Sequence, residues 1–314
     1  MDNRRGSARD PHYRSLPARF RRARLLILGC GDVGQRLAWL VGHRMRVFGV
    51  VRRAESAAAV RASGAVPIVV DLDDRRAAAR LAGLADRVVH SAPPPPTGDD
   101  DPRTRRAIAA LSRAQAWVYL STTGVYGDCA GARFDETRTV APASARARRR
   151  VAAEARLRRH AAASGVRVSI LRVPGIYADD RLPLERLRQG TPALAQGDDV
   201  FTNHIHADDL ARIARAALAR GRSTRVYHAS DDSELRMGEY FDQVARAYAL
   251  PAPPRLPRAA LRRAVSPALY TFMSESRRLI NRRLKDELRV SLRYPTVEAF
   301  LQGRRSDGGR RASC

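Results

Sequence analysis

Leu25-Leu26-Ile27-Leu28 runs without a break into Gly29, Gly31 and Gly34, and an amphipathic helical pattern through Leu37, Leu40 and Val41 starts directly behind the last glycine. A strand, a glycine turn and a helix in that order leave few architectures open. At G-x-G-x-x-G spacing each glycine has its own mechanical task in a dinucleotide site. Gly29 permits the tight turn, Gly31 lets backbone approach a pyrophosphate, and Gly34 lets the helix sit close on the sheet. The helix that begins near Asp32 and Val33 then aims unpaired N–H groups and its positive dipole end at the phosphates.

The remaining pattern extends this unit. Strand-type runs at 24–29, 46–51, 66–71, 87–91, 117–121 and 166–171 alternate with helical runs at 33–42, 54–63, 75–82, 103–113 and 144–164. Short connections between them imply a parallel sheet covered on both faces, the Rossmann-type doubly wound α/β fold. A last strand at 226–228 and helix at 236–248 precede a Pro-rich stretch at 251–257 and a set of C-terminal helices. The expected organisation is a nucleotide-binding domain at 24–173, continued by 204–229. A smaller C-terminal substrate lobe is built from 174–203 and 230–302, between basic disordered tails at 1–23 and 303–314. Pro93-Pro-Pro-Pro96 followed by Asp99-Asp-Asp101 reads either as an exposed spacer or as a rim at the carboxyl edge of the sheet.

The net charge of +26 over 314 residues invites a nucleic-acid reading. Of the 58 basic residues only Lys285 is lysine, and the arginines are spread through every helix instead of forming one stripe. No base-reading motif accompanies them, so specific nucleic-acid recognition is not expected; the Arg-rich ends could attach weakly to polyanions. Cys30, Cys129 and Cys314 are odd in number and widely spaced, and His204 and His206 lack a third ligand nearby. Neither a disulfide framework nor a metal site is expected. No run of 18 apolar residues occurs, and the apolar core after Arg21-Arg22 is too short for a signal peptide, so a cytoplasmic protein is expected.

An acidic side chain about 20 residues beyond the glycines ordinarily holds the ribose hydroxyls of NAD. Here the second strand ends in Arg52-Arg53. Two guanidiniums at that point suit the 2′-phosphate of NADP, which makes NADP the expected cofactor and NAD the alternative. Asp71 and Leu72 are placed to meet the adenine, or Asp71 belongs to the cap of the next helix. Ser91, Ala92 and Pro93 would run along the ribose and nicotinamide side.

From Trp117 the chain reads Val-Tyr-Leu-Ser121-Thr-Thr-Gly-Val-Tyr126-Gly127, followed in order by Ile170-Leu-Arg-Val-Pro-Gly-Ile-Tyr177 and Asn203-His-Ile-His-Ala-Asp-Asp-Leu210. These segments resemble the extended short-chain dehydrogenases/reductases, the epimerase and dehydratase superfamily. The ending from Glu275 to Thr296 is similar to the atypical YeeZ-like branch. The resemblance implies a Ser/Thr hydroxyl acting with a Y-x-x-x-K pair on the following helix, the tyrosine moving a proton and the lysine lowering its pKa. Counting back from Glu154 puts Arg150 at the lysine and Arg146 at the tyrosine. Guanidinium does not deprotonate near neutral pH, so Arg146 cannot be the proton donor.

The resemblance therefore implies an NADP-dependent oxidoreductase of atypical type acting on a small polar or sugar-like substrate. Thr122 or Ser121 would polarise a carbonyl, Tyr126 or Tyr177 would relay a proton, and Arg150 would keep positive charge by the ribose. His206 is either a further candidate or a helix cap near Asp208. The missing tyrosine favours an alternative, a redox-reporting NADP(H)-binding protein with little catalysis. Paired helices at 103–113 and 144–164 leave room for a homodimer bundle.

Overall fold

The computed structural model describes residues 22–311; the segment 1–21, which holds nearly all of the N-terminal tail, lies outside the described residues. Seven strands form one parallel sheet: β1 (Arg24–Leu28), β2 (Arg46–Val51), β3 (Val66–Val69), β4 (Arg87–His90), β5 (Ala116–Thr122), β6 (Arg167–Val173) and β7 (Arg225–His228). Their order is β7-β6-β5-β4-β1-β2-β3. The chain starts in the middle, winds to one edge, returns and winds to the other. The crevice where direction reverses opens at the carboxyl ends of β1 and β4, where such sheets bind ligands.

Burial on both faces explains why the strands read as continuous apolar runs. In β1, Leu25 and Ile27 point into one cluster while Leu26 and Leu28 point into the other, and all four are fully buried. The first cluster is covered by α1 (Asp32–Val41), α2 (Ala57–Ala62), α7 (Ala207–Arg220) and α11 (Arg282–Leu288), through Leu37, Val60, Leu210 and Leu284 among others. The second is covered by α3 (Arg75–Ala79), α4 (Pro102–Ala110) and α5 (Ala145–Ser164), through Ala77, Ala107 and Leu157. A third cluster lies away from the sheet. It gathers Tyr177 and Leu194 with Leu187 of α6 (Leu184–Arg188), Met237 and Phe241 of α8 (Met237–Ala247), Leu261 of α9 (Arg258–Ala264), Met273 of α10 (Pro267–Ser274) and Phe300 of α12 (Val297–Arg311). α12 runs as helix to Arg311, and its first turns place Val297, Phe300 and Leu301 in the third cluster. Among the described residues, no helix is long and apolar enough to cross a membrane.

The 93–101 segment is neither a free spacer nor a simple rim. Asp99 accepts from Arg148 (2.9 Å), Asp100 from Arg156 (2.8 Å), and the Gly98 carbonyl from Arg149 (2.6 Å). The segment is a strap across α5, and Asp101 ends it by capping α4 at Thr104. Beneath the strap, α5 is tied to the sheet by charge. Glu154, 1% exposed, accepts from Arg172 of β6 at 2.8 and 3.2 Å, from Ser121 of β5 at 2.6 Å, and from Arg158 at 3.0 Å. Burial pushes the Glu154 carboxyl up, but Arg172, Ser121 and Arg158 outweigh it and hold the group below its ordinary value.

A carboxyl depressed in the folded state contributes stability above the ordinary carboxylate range and loses it as pH falls through the depressed value. Glu154→Gln leaves Arg172 as a buried charge without a counter-charge, a change that costs about 3–5 kcal/mol. We expect a fall in the thermal midpoint on the order of 10 °C at neutral pH, shrinking as acid is added. Thermal melts of both proteins between neutral and acid pH check this; a constant difference would show that the carboxylate charge is not what matters.

Candidate nucleotide cleft and ligand cavity

The β1–α1 turn is shaped by close approach. Gly29 has φ +81°, and a Cβ there would lie 2.6 Å from the Cα and N of Ala92. Only glycine satisfies both constraints. Gly34 faces the sheet, where a Cβ would stand 3.0 Å from Ile27 Cγ2, so α1 lies tight on β1. At Gly31 a Cβ would meet no atom within 4 Å and would project into open space at the start of α1. Gly31 is the N-cap of that helix, and no side chain caps its first-turn N–H groups. Those donors face a cleft of about 250 Å³ whose walls include Gly29, Gly31, Asp32, Val33, Gly34, Ser91, Thr122 and Arg150. The Asp32 carboxylate is engaged by Arg36 (2.7 Å) and Arg181 (3.1 Å). Ser91 donates to the Gly29 carbonyl at 2.8 Å and braces the turn, while Ala92 is buried behind it. Open backbone donors at a positive helix end fit a pyrophosphate.

Gly49 had no assigned part in this turn. A Cβ there would come within 2.7 Å of Val60 Cγ1 and 2.8 Å of Cys30 Sγ, so β2 needs glycine to make room for Cys30. Burial pushes the Cys30 thiol up to about 12, which suits a packing role.

At the tip of β2, Arg52 and Arg53 are both exposed and donate to no protein acceptor among the described residues. At the end of β3, Asp71 is exposed, while Leu72 is 6% exposed and packs in the second core cluster. Asp71 accepts the Asp73 N–H at 2.9 Å in a local turn, and the cap of α3 is Asp74. Asp73 takes Arg103, whose guanidinium also donates to the Pro93 carbonyl at 2.8 Å. Pro93 is thus held by its carbonyl.

A second cavity of about 320 Å³ adjoins the cleft, and Thr122, Arg146 and Pro174 line both. Its farther walls include Phe201, Asn203, Phe272, Glu275 and Arg277. Thr122 ends β5; its Oγ1 accepts the Gly124 N–H at 3.2 Å, leaving its hydroxyl proton to be donated. Arg150 is buried and donates to the Leu120 carbonyl (2.9 Å) and the Tyr119 hydroxyl (3.0 Å), so its charge meets only neutral partners. Arg146 forms no hydrogen bond or ion pair within the described residues. Burial, and then the charges of Arg150 and Arg149, push its pKa below the ordinary value. It remains a cation near neutral pH.

Two expected catalytic groups have protein partners. Ser121 lies on the cleft wall, and its hydroxyl donates to Glu154. Tyr126 is 1% exposed and lines neither cavity. Its hydroxyl receives Arg172 at 2.7 Å and lies 2.6 Å from His228 Nε2, while His228 Nδ1 lies 3.0 Å from the Ile280 carbonyl. Nδ1 can only donate to a carbonyl, so Nε2 accepts and Tyr126 donates to it. Burial pushes the Tyr126 phenol up to about 12 despite Arg172. Tyr177 is buried in the third cluster, and burial raises its pKa as well. His206 accepts the Asp208 N–H at 3.2 Å and so caps α7. No tyrosine, histidine or lysine is among the residues lining the two cavities.

The glycine geometry separates two effects. Gly29→Ala should destabilise the fold by about 1–3 kcal/mol, through positive φ and the Ala92 contact. Gly31→Ala should leave the melting temperature unchanged yet weaken NADPH binding measured by fluorescence titration. Unchanged binding in Gly31→Ala would remove the cradle from contact with the dinucleotide.

The sequence profile of the NAD(P)H-binding family matches residues 29–220. No curated protein matches the chain. Among solved structures, a functionally unknown conserved protein from Silicibacter pomeroyi superposes with a TM-score of 0.76 at 28% identity, over 91% of this chain and 99% of that one. The human epimerase family protein SDR39U1, solved with NADPH, gives a TM-score of 0.70 at 20% identity, over 89% and 98% of the two chains. MoeE5, solved with UDP-glucose and NAD, gives 0.71 at 19%, over 90% and 99%. These likenesses extend over nearly the whole chain. The chain belongs to the NAD(P)H-binding family, with the fold of the epimerase/dehydratase-type short-chain dehydrogenases/reductases.

Proposed function

We propose that the protein is an NADP-dependent oxidoreductase of atypical type, acting on a small polar molecule held in the outer cavity. The observation that carries this reading is the junction of the two cavities at Thr122, Arg146 and Pro174, at the carboxyl end of β5. A nicotinamide bound in the cleft supplies or accepts a hydride. Thr122 presents a hydroxyl donor, and Arg146 a guanidinium, to an oxygen that gains negative charge. Neither is a proton reservoir near pH 7, so the proton is exchanged with water through the open cavity. Arg150 keeps a fixed positive charge on the cleft wall through its bonds to Leu120 and Tyr119. The exposed guanidiniums of Arg52 and Arg53 favour a 2′-phosphate over a bare ribose.

A second reading has its own support. With no phenol, imidazole or ammonium on the walls, the site is well equipped to hold a dinucleotide and poorly equipped to move protons. An NADP(H)-binding protein that reports redox state to a partner would need nothing more.

Titration with NADPH, NADH and NADP⁺, joined to a carbonyl and sugar-nucleotide panel, separates the two readings. An oxidoreductase binds NADPH well above NADH and turns over a panel member faster than a Gly31→Asp control. A sensor shows a large preference between NADPH and NADP⁺ and no turnover above that control. Replacing Arg52 with Asp and Arg53 with Ser should lower NADPH affinity roughly tenfold or more, about 1.4 kcal/mol, with NADH affinity unchanged or raised. Unaltered NADPH affinity would end the assignment of NADP.

A further inference from the structure

The first two turns of α5 carry Arg146, Arg148, Arg149 and Arg150 and no acidic residue. This reverses the usual preference, since the positive end of a helix favours carboxylates. Three of the four guanidiniums have protein partners. Arg148 pairs with Asp99, Arg149 donates to the Gly98 carbonyl, and Arg150 donates to Leu120 and Tyr119. Arg146 has none within the described residues, although it stands where the cleft and the outer cavity meet. The carboxylate that lines the outer cavity, Glu275, is already engaged by Arg277. The Asp32 carboxylate of the cleft is engaged by Arg36 and Arg181. Glu154, one helical level deeper, is saturated by Arg172, Arg158 and Ser121. The guanidinium of Arg146 therefore stands at the junction of two cavities whose lining carboxylates, Asp32 in the cleft and Glu275 in the outer cavity, are both taken.

We propose that Arg146 anchors a ligand oxyanion, a carboxylate or phosphate carried by a small molecule in the outer cavity. The inference rests on the reading of that cavity as the substrate side and names the substrate class: a small acid with an apolar portion. The planar fork of the guanidinium suits two oxygens of such a group. Thr122 adds a hydroxyl donor beside it, and Phe201 and Phe272 supply apolar walls. A cavity of about 320 Å³ suits a ligand of modest size. In this site the residue at the position of the expected tyrosine recognises charge instead of transferring a proton.

The test is calorimetric titration of the full chain, with and without saturating NADPH, using propionate, inorganic phosphate and propionamide as probes. Propionate, phosphate or both should bind the NADPH-loaded protein, and propionamide should not; which anion binds tighter identifies a carboxylate or a phosphate source. Arg146→Gln should weaken anion binding roughly tenfold or more, with a smaller change in NADPH affinity. Arg146→Lys, which keeps the charge and loses the fork, should retain part of the affinity. The proposal is overturned if no anion binds, if propionamide binds as well as propionate, or if Arg146→Gln binds the anions like the parent. It is also overturned if NADPH displaces them, which would put the anion in the cofactor's own phosphate position. Failure of NADPH itself to bind would sink the functional reading separately, because the anion titration on cofactor-free protein does not depend on it.

Discussion

The buried contact between Glu154 and Arg172 holds the ligand side of this molecule in register. A carboxylate and a guanidinium lose most of their hydration at this depth, and such a pair is retained only when nearly every polar atom finds a partner. Here Arg172 also donates to Tyr126, and Ser121 and Arg158 complete the Glu154 carboxylate. The pair clamps α5 across β5 and β6. Arg150 and Arg146 lie one and two turns before Glu154 on the same helix, so their positions along the cavity walls follow from where that clamp sits. The strap from Gly98 to Asp101 holds the same helix from outside.

Arginine abundance, which by composition alone is featureless, acquires structure through these contacts. Most guanidiniums named above meet a carboxylate or a carbonyl: Arg36 with Asp32 and Asp208, Arg103 with Asp73, Arg148 with Asp99, Arg225 with Glu287. Pairs of this kind at the surface are worth little individually. Arg52 and Arg53 at the end of β2 and Arg146 at the cavity junction make no hydrogen bond or ion pair among the described residues, as is also true of surface arginines such as Arg61 and Arg80.

The glycine turn was legible because its constraint is local. Positive φ at Gly29 and tight helix packing at Gly34 depend on a few neighbouring atoms, and the spacing of the glycines encodes both. The strands were legible for a related reason: burial on both faces produces unbroken apolar runs such as Leu25 to Leu28. Side-chain roles near β3 were less readable. Asp71, Asp73 and Asp74 are chemically alike within four positions, and only the direction of the turn decides which one caps α3 and which one meets Arg103.

Tyr126 marks the boundary between the two kinds of information. Its place after β5 follows from the motif, yet its hydroxyl is committed to His228, 102 residues away, and to Arg172, 46 away. No local pattern carries a hydrogen bond over that separation. The sequence by itself determined the doubly wound sheet, the glycine turn, and the placing of Arg146 and Arg150 on α5. Only the tertiary structure decided which hydroxyls and guanidiniums remain free to meet a ligand. That is a question of which distant partner has already claimed each group, and packing alone answers it.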